Sequence, residues 1–177
     1  MNPERMQPDV VAPEILELLA LGLDPIAPAA ETRSRLMNGL DGPERFAPFF
    51  AQLSRLFDLP VEIIEGLLAR IDDPRAWEDG VPGVKLIHFA AGPRRAAAEA
   101  GLVRLAPGAC FPRHRHLGRE TTIVLEGTLL DSGRDYGPGA SVEHATDSVH
   151  RYAAAAARDL VIAVLHHGIA PADVPEG

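Results

Sequence analysis

The stretch PGACFPRHRHLGRETTIVLEGTLLDSGRDYGPGASVEHATDSVH, residues 107–150, holds the residues whose spacing decides the fold. Side chains alternate between the two faces of a β-strand, so His114 and His116 share one face while Arg113 and Arg115 take the other. Two imidazoles on one wall form a chelating arrangement. After the break at Gly118, Glu120 enters the same cavity, and Thr122 and Val124 follow it inward at alternate positions. A third imidazole must come from elsewhere in the chain. Three imidazoles and a carboxylate leave coordination positions open on a divalent ion, the usual arrangement where a site has to admit water, substrate or oxygen.

The same two-residue rhythm extends outward from this stretch. VKLIHFA (84–90), AGLVRLA (100–106), TTIVLEGTLLD (121–131) and DLVIAVLHHG (159–168) read as short strands separated by glycine and proline. With no helical periodicity between them, they predict an antiparallel sandwich or barrel. A hairpin turn is expected over Asp131-Ser132-Gly133-Arg134-Asp135. Before Gly83 the period is helical. Ile15, Leu16, Leu18, Leu19 and Leu23 follow Pro13 at helical spacing, and residues 29–39 read as a second helix closed by Asn38-Gly39. Residues 43–57 gather Phe46, Phe49, Phe50, Leu53, Leu56 and Phe57 on one side, and residues 60–71 do the same with Val61, Ile64, Leu67, Leu68 and Ile71. DDPRAWEDGVPG (72–83) is a connection, with Trp77 expected to pin it to a neighbouring surface. The chain thus divides into a helical N-terminal region, residues 1–75, and a barrel over residues 84–170 that carries the metal-ligand candidates.

A chain of 177 residues with 46% hydrophobic content can bury one full domain and a helical appendage. Its formal charge of -8, from 25 acidic and 17 basic residues, works against nucleic acid and anionic membrane surfaces as partners. The single cysteine, Cys110, excludes an internal disulfide and suits a reducing compartment. The N-terminus has prolines and acids where a secretory signal needs a basic start, and no apolar run is long enough to span a bilayer. A cytoplasmic location is the simplest expectation.

The histidine-bearing stretch resembles the cupin superfamily. That family's first motif places glycine, five residues, His-x-His, three or four residues, glutamate, six residues and glycine in order; Gly108, His114, His116, Glu120 and Gly127 occupy each place. In its second motif, Gly139 sets the register and His150 falls on the ligand position, while Ala145, Asp147 and Ala154 replace the family's proline, second glycine and asparagine. The resemblance implies a mainly β fold, an RmlC-like jelly-roll barrel with an N-terminal α-helical extension, and a metal held by His114, His116, Glu120 and His150. His144, six residues before His150, lies where the pattern leaves the position free and is set aside, as are His166 and His167 at the end of the last strand.

Within the cupins, LVRLAPGACFPRHRHLGRETTIVLEGTLLDSGRDYGPG is most similar to the cupin domain of ChrR-type anti-sigma factors. This resemblance implies one zinc ion on the three histidines and the glutamate, and a sigma factor as partner of the N-terminal helices. In that group the helices hold a zinc of their own through histidine and paired cysteines. Here no histidine precedes His88 and no cysteine precedes Cys110, so residues 13–71 cannot build that second site.

Cys110 lies four residues before His114 with the same parity and is read as a buried, inert thiol. Arg113 and Arg115 are read as solvated, and the phenylalanines of residues 46–57 as ordinary core. Two functions compete. One is a regulatory cupin that responds to a small molecule or oxidant in the barrel. The other is a non-haem dioxygenase acting on a small organic substrate at Fe(II). Zinc is the first choice of metal, with iron, manganese and nickel as alternatives, since this donor set suits them all. Exposed sheet edges and apolar helices lead to the expectation of a homodimer.

Overall fold

The computed structural model describes residues 42–172; the helices expected over 13–23 and 29–39 lie outside them. After Trp77 the chain runs through eleven described strands: β1 (Glu78–Asp79), β2 (Val84–Phe89), β3 (Glu99–Leu105), β4 (Cys110–His116), β5 (Glu120–Glu126), β6 (Leu129–Asp131), β7 (Arg134–Tyr136), β8 (Ser141–His144), β9 (Val149–Ala154), β10 (Leu160–His166) and β11 (Ile169–Pro171). They form two antiparallel sheets. One has the order β1-β2-β3-β10-β5-β8 and the other β11-β4-β9-β6-β7. The two sheets share an apolar interior that includes Val103, Leu105, Val124 and Ile162 from the first and Leu129, Tyr152 and Ala154 from the second. This is a jelly-roll sandwich whose described strands do not close into one continuous hydrogen-bonded barrel.

The single run expected over 121–131 is two strands, one in each sheet. Gly127 separates them at φ +75°, and a Cβ there would lie 2.3 Å from the Asp159 carbonyl oxygen, so glycine alone fits the crossing. The hairpin falls where expected: Ser132 and Gly133, at φ +51° and +76°, join β6 to β7. Positive φ at both central residues is the type I′ requirement, which matches the right-handed twist of the flanking strands.

The helical stretch 43–57 is a 3₁₀ segment over Pro43–Phe49, with Pro48 inside it, followed by α1 (Phe50–Phe57). Proline lacks the N–H that an α-helical ladder needs, which accounts for the late start of α1. Asp58 ends α1 in the left-handed conformation, and α2 spans Val61–Ala69. The Asp58 carboxylate accepts hydrogen bonds from the Arg94 backbone N–H at 2.9 Å and Nε at 2.8 Å. Phe46, Leu53, Phe57, Ile64, Leu68 and Ile71 are buried against Ile87, Leu102, Ile123, Leu125, Val161, Ala163 and Leu165 of the larger sheet. The phenylalanines therefore serve chiefly as core. Trp77 pins the connection as expected: its indole N–H donates to the Ile71 carbonyl at 3.0 Å, and the Arg104 guanidinium stands 4.4 Å from the ring centre.

The middle strands of the larger sheet, β3, β10 and β5, are consequently covered on both faces by described residues. Along β10, Leu160, Ile162 and Val164 point between the sheets, while Val161, Ala163 and Leu165 point to the helices. That is why LVIAVL carries no polar residue, although strands with one solvated face alternate.

Candidate metal centre

Two cross-strand pairs, one from each sheet, build the site. In the smaller sheet His114 of β4 lies opposite His150 of β9; in the larger sheet Glu120 of β5 lies opposite His144 of β8. Directly opposed residues point to the same face. Both pairs face the interior, where His116 joins them. His114, His116, Glu120 and His150 are all buried, and His116 has no solvent exposure.

The hydrogen bonds set the direction of each imidazole. His114 Nδ1 lies 2.9 Å from the Pro112 carbonyl, and His150 Nδ1 lies 2.9 Å from Asp131 Oδ1. A carbonyl or a carboxylate only accepts, so both Nδ1 atoms donate, which leaves each Nε2 with a free lone pair. Those two Nε2 atoms stand 3.1 Å apart. Two nitrogens held about 2.1 Å from one ion lie roughly 3.0 Å apart at a right angle and 3.4 Å apart at a tetrahedral angle. The observed separation falls between these values. Neither ring nitrogen of His116 has a hydrogen-bond partner, and its Nδ1 lies 3.7 Å from Glu120 Oε2. A buried, unpartnered imidazole beside a carboxylate is costly unless a cation fills the gap. The donor set and its unsatisfied atoms therefore fit a divalent ion.

The electrostatics agree. Burial holds His114 below its ordinary value and brings His116 down to about 4, so both are neutral and able to ligate near pH 7. Burial also raises the Glu120 carboxyl, a cost that a nearby cation would offset. Thr122 donates to Glu120 Oε1 at 3.2 Å.

His144, set aside on sequence grounds, sits in the cluster. One ligand atom from each of His116, Glu120, His144 and His150 lies within 4.8 Å of the others; this group takes in His144 and leaves out His114, which approaches it through His150 Nε2 at 3.1 Å. His144 Nε2 lies 2.9 Å from Asp131 Oδ2, and the same carboxylate holds His150. Burial alone would raise the Asp131 carboxyl, but these two hydrogen bonds outweigh it and hold the group well below the usual carboxylate range. The bond to Asp131 raises His144 in turn, against the effect of burial. Asp131 was legible only as the first residue of a turn. The signal for His144 was the alternation of SVEH, which puts it on the same face as buried Val142.

Cys110 is a correction. It is exposed, not buried. The β4–β9 register shifts between Phe111 and His114, so parity breaks before the histidines, and Phe111 rather than Cys110 joins the interior. Beside the cluster lies a cavity of about 160 Å³ lined by His114, Glu120, Phe111, Tyr152, Val164 and His166 among others. His166 thus faces the interior, whereas His167 is exposed and bonded to the Arg119 carbonyl. No described helix is long and apolar enough to cross a membrane.

A two-sheet jelly roll with histidines and a glutamate converging between the sheets makes this protein a cupin. It belongs to the ChrR cupin-like domain family, whose model matches residues 67–170. A chain in the crystal structure of Rhodobacter sphaeroides SigE in complex with the anti-sigma ChrR is similar at 24% identity, with 86% of this chain and 75% of that one covered and a TM-score of 0.54. An RmlC-like cupin of Ralstonia eutropha is 20% identical over 57% of this chain and 69% of its own, with a TM-score of 0.49. An acetylacetone dioxygenase from Acinetobacter johnsonii is 10% identical over 57% and 74%, also at 0.49. No curated protein matches the sequence.

Proposed function

We propose that the protein is a regulatory cupin of the ChrR type, cytoplasmic and homodimeric. Its barrel holds one divalent ion, zinc in the first place, on His114, His116, Glu120 and His150, and takes a small molecule into the adjoining cavity. Its N-terminal region, residues 1–75, engages a protein partner, a sigma factor. The observation that carries the metal reading is the 3.1 Å approach of two Nε2 atoms whose rings are each turned by an Nδ1 hydrogen bond. When bound, the ion would supply a Lewis-acidic position for a ligand oxygen or nitrogen. The protein's own residues orient the imidazoles through Pro112 and Asp131, exclude bulk water, and offer an apolar wall of Phe111, Tyr152 and Val164.

The partner reading is supported by membership of the ChrR cupin-like family and by similarity to a chain of the SigE–ChrR complex. Within the described part of the helical region, Val61 and Ile63 of α2 remain exposed while the opposite side of that helix packs on the sheet. An apolar group left on such a face suits a partner.

The test is elemental analysis of the purified full chain combined with co-purification of sigma factors from the native cell. Stoichiometric zinc, no oxygen uptake after exchange for iron, and a sigma factor that is lost when residues 1–41 are removed are the expected results. Turnover of an organic substrate with dioxygen on the iron form, without any captured sigma factor, would replace the regulatory reading by the dioxygenase one.

A further inference from the structure

The carboxylate of Asp131 joins two histidines that come from different sheets. Its Oδ1 accepts from His150 Nδ1 of β9, and its Oδ2 accepts from His144 Nε2 of β8, each at 2.9 Å. Asp131 itself is buried and ends β6 immediately before the tight Ser132–Gly133 turn, so its backbone is fixed by the hairpin register. With Nε2 committed to Asp131, His144 turns Nδ1 toward the cluster. That atom is buried, has no hydrogen-bond partner, and lies 3.8 Å from Glu120 Oε1. Two ligands of one ion, each about 2.1 Å from it, can be no more than about 4.2 Å apart. His144 Nδ1 and Glu120 Oε1 meet that limit.

We propose that His144 is a further metal ligand through Nδ1, and that Asp131 is the positioning residue that aims His144 and His150 at the same ion. The inference rests on the metal reading above and deepens it from three imidazoles to four. A carboxylate behind a ligating imidazole fixes its tautomer and ring orientation. Here one carboxylate does this for two imidazoles and ties the two sheets together at the centre.

The experiment strips the full-length protein of metal and reloads it with Co(II) for visible spectroscopy and with Zn(II) for X-ray absorption. Wild type is compared with His144→Ala, His144→Gln, His150→Ala and Asp131→Asn. Four imidazoles are expected in the wild-type absorption spectrum, falling to three in both His144 variants, with a changed Co(II) spectrum. Asp131→Asn keeps the side-chain shape but cannot accept from both rings; it is expected to weaken the metal about 10- to 100-fold. The loss should be smaller in the His144→Ala background, because one of the two rings that Asp131 holds is gone. Circular dichroism of the metal-free forms checks folding, and the two His144 variants decide the matter if Asp131→Asn misfolds. Three imidazoles in wild type, with an unchanged spectrum and affinity in both His144 variants, would overturn the inference and leave the metal reading intact. Failure of wild type to take up either metal would instead overturn the metal reading itself.

Discussion

His114 Nε2 and His150 Nε2 stand 3.1 Å apart across the β4–β9 ladder, each with its other ring nitrogen committed to an acceptor behind it. Two lone pairs so close repel unless something positive lies between them. His114→Ala or His150→Ala is expected to weaken metal binding more than about 100-fold, because loss of a supporting hydrogen bond alone commonly costs 10- to 100-fold. Competition against a chelator of known affinity measures this. Wild-type affinity in either variant would remove that histidine from the ligand set.

Gly127 carries a conformation and a contact that a side chain cannot share. Gly127→Ala is expected to cost about 2 kcal/mol or more: a left-handed backbone costs an alanine roughly 1–2 kcal/mol, and its methyl group would also press on the Asp159 carbonyl. Urea unfolding of the metal-free protein gives the number. An unchanged midpoint would show that the crossing from β5 to β6 has another way round.

Acid is expected to destabilise the metal-free protein, and His116 is the reason. Burial lowers its folded value to about 4, whereas in the unfolded chain it returns to about 6.5. Between those values the unfolded state binds more protons, so stability falls as pH falls through the window, by roughly 2–3 kcal/mol from this residue alone. His114, also lowered, acts in the same direction; His144 and Glu120, both raised, oppose it. Unfolding free energies with chelator at pH 7 and pH 4.5, for wild type and His116→Gln, separate the contributions. An equal slope in the two proteins would contradict the assignment.

Phe57 is buried between α1 and the larger sheet, with its ring 4.9 Å from that of Phe89 and nearly perpendicular to it. Phe57→Ala is expected to destabilise the fold by about 3–5 kcal/mol without changing metal stoichiometry. Thermal unfolding and metal analysis of the same sample check both halves. A loss below about 1 kcal/mol would mean that α1 adheres only loosely.

The histidine pair and the carboxylate were legible because His114, His116 and Glu120 are close in sequence and strand parity needs no knowledge of partners. Cys110 is exposed against both expectations, burial from its residue type and a place near the site from its parity with His114, since the irregularity after Phe111 shifts the alternation by one residue and nothing local announces it. The roles of His144 and Asp131 escape the sequence for a different reason. Their roles follow from β8 lying beside β5 and from β6 lying beside β9, pairings between stretches far apart in sequence. The four-residue set also came from a motif that fixes spacings, and His144 stands outside any spacing that the motif names. Helical spacing places residues 43–57 and 60–71 correctly, but Val61, which that spacing groups with the apolar side, is exposed, and residues 43–49 form a 3₁₀ segment with Pro48 inside it.

β10 has no solvent side: Leu160, Ile162, Val164 and His166 turn to the interior between the sheets, and Val161, Ala163 and Leu165 meet the helices. Such a strand has no neutral positions. An added methyl group at Ala163 presses on the helical layer, and a lost one at Val164 opens the floor of the cavity, so sequence drift among natural variants should be slowest along this ribbon. With β3 and β5 it forms a partition through which a shift of the helices and a change in the cavity's contents would each be felt by the other.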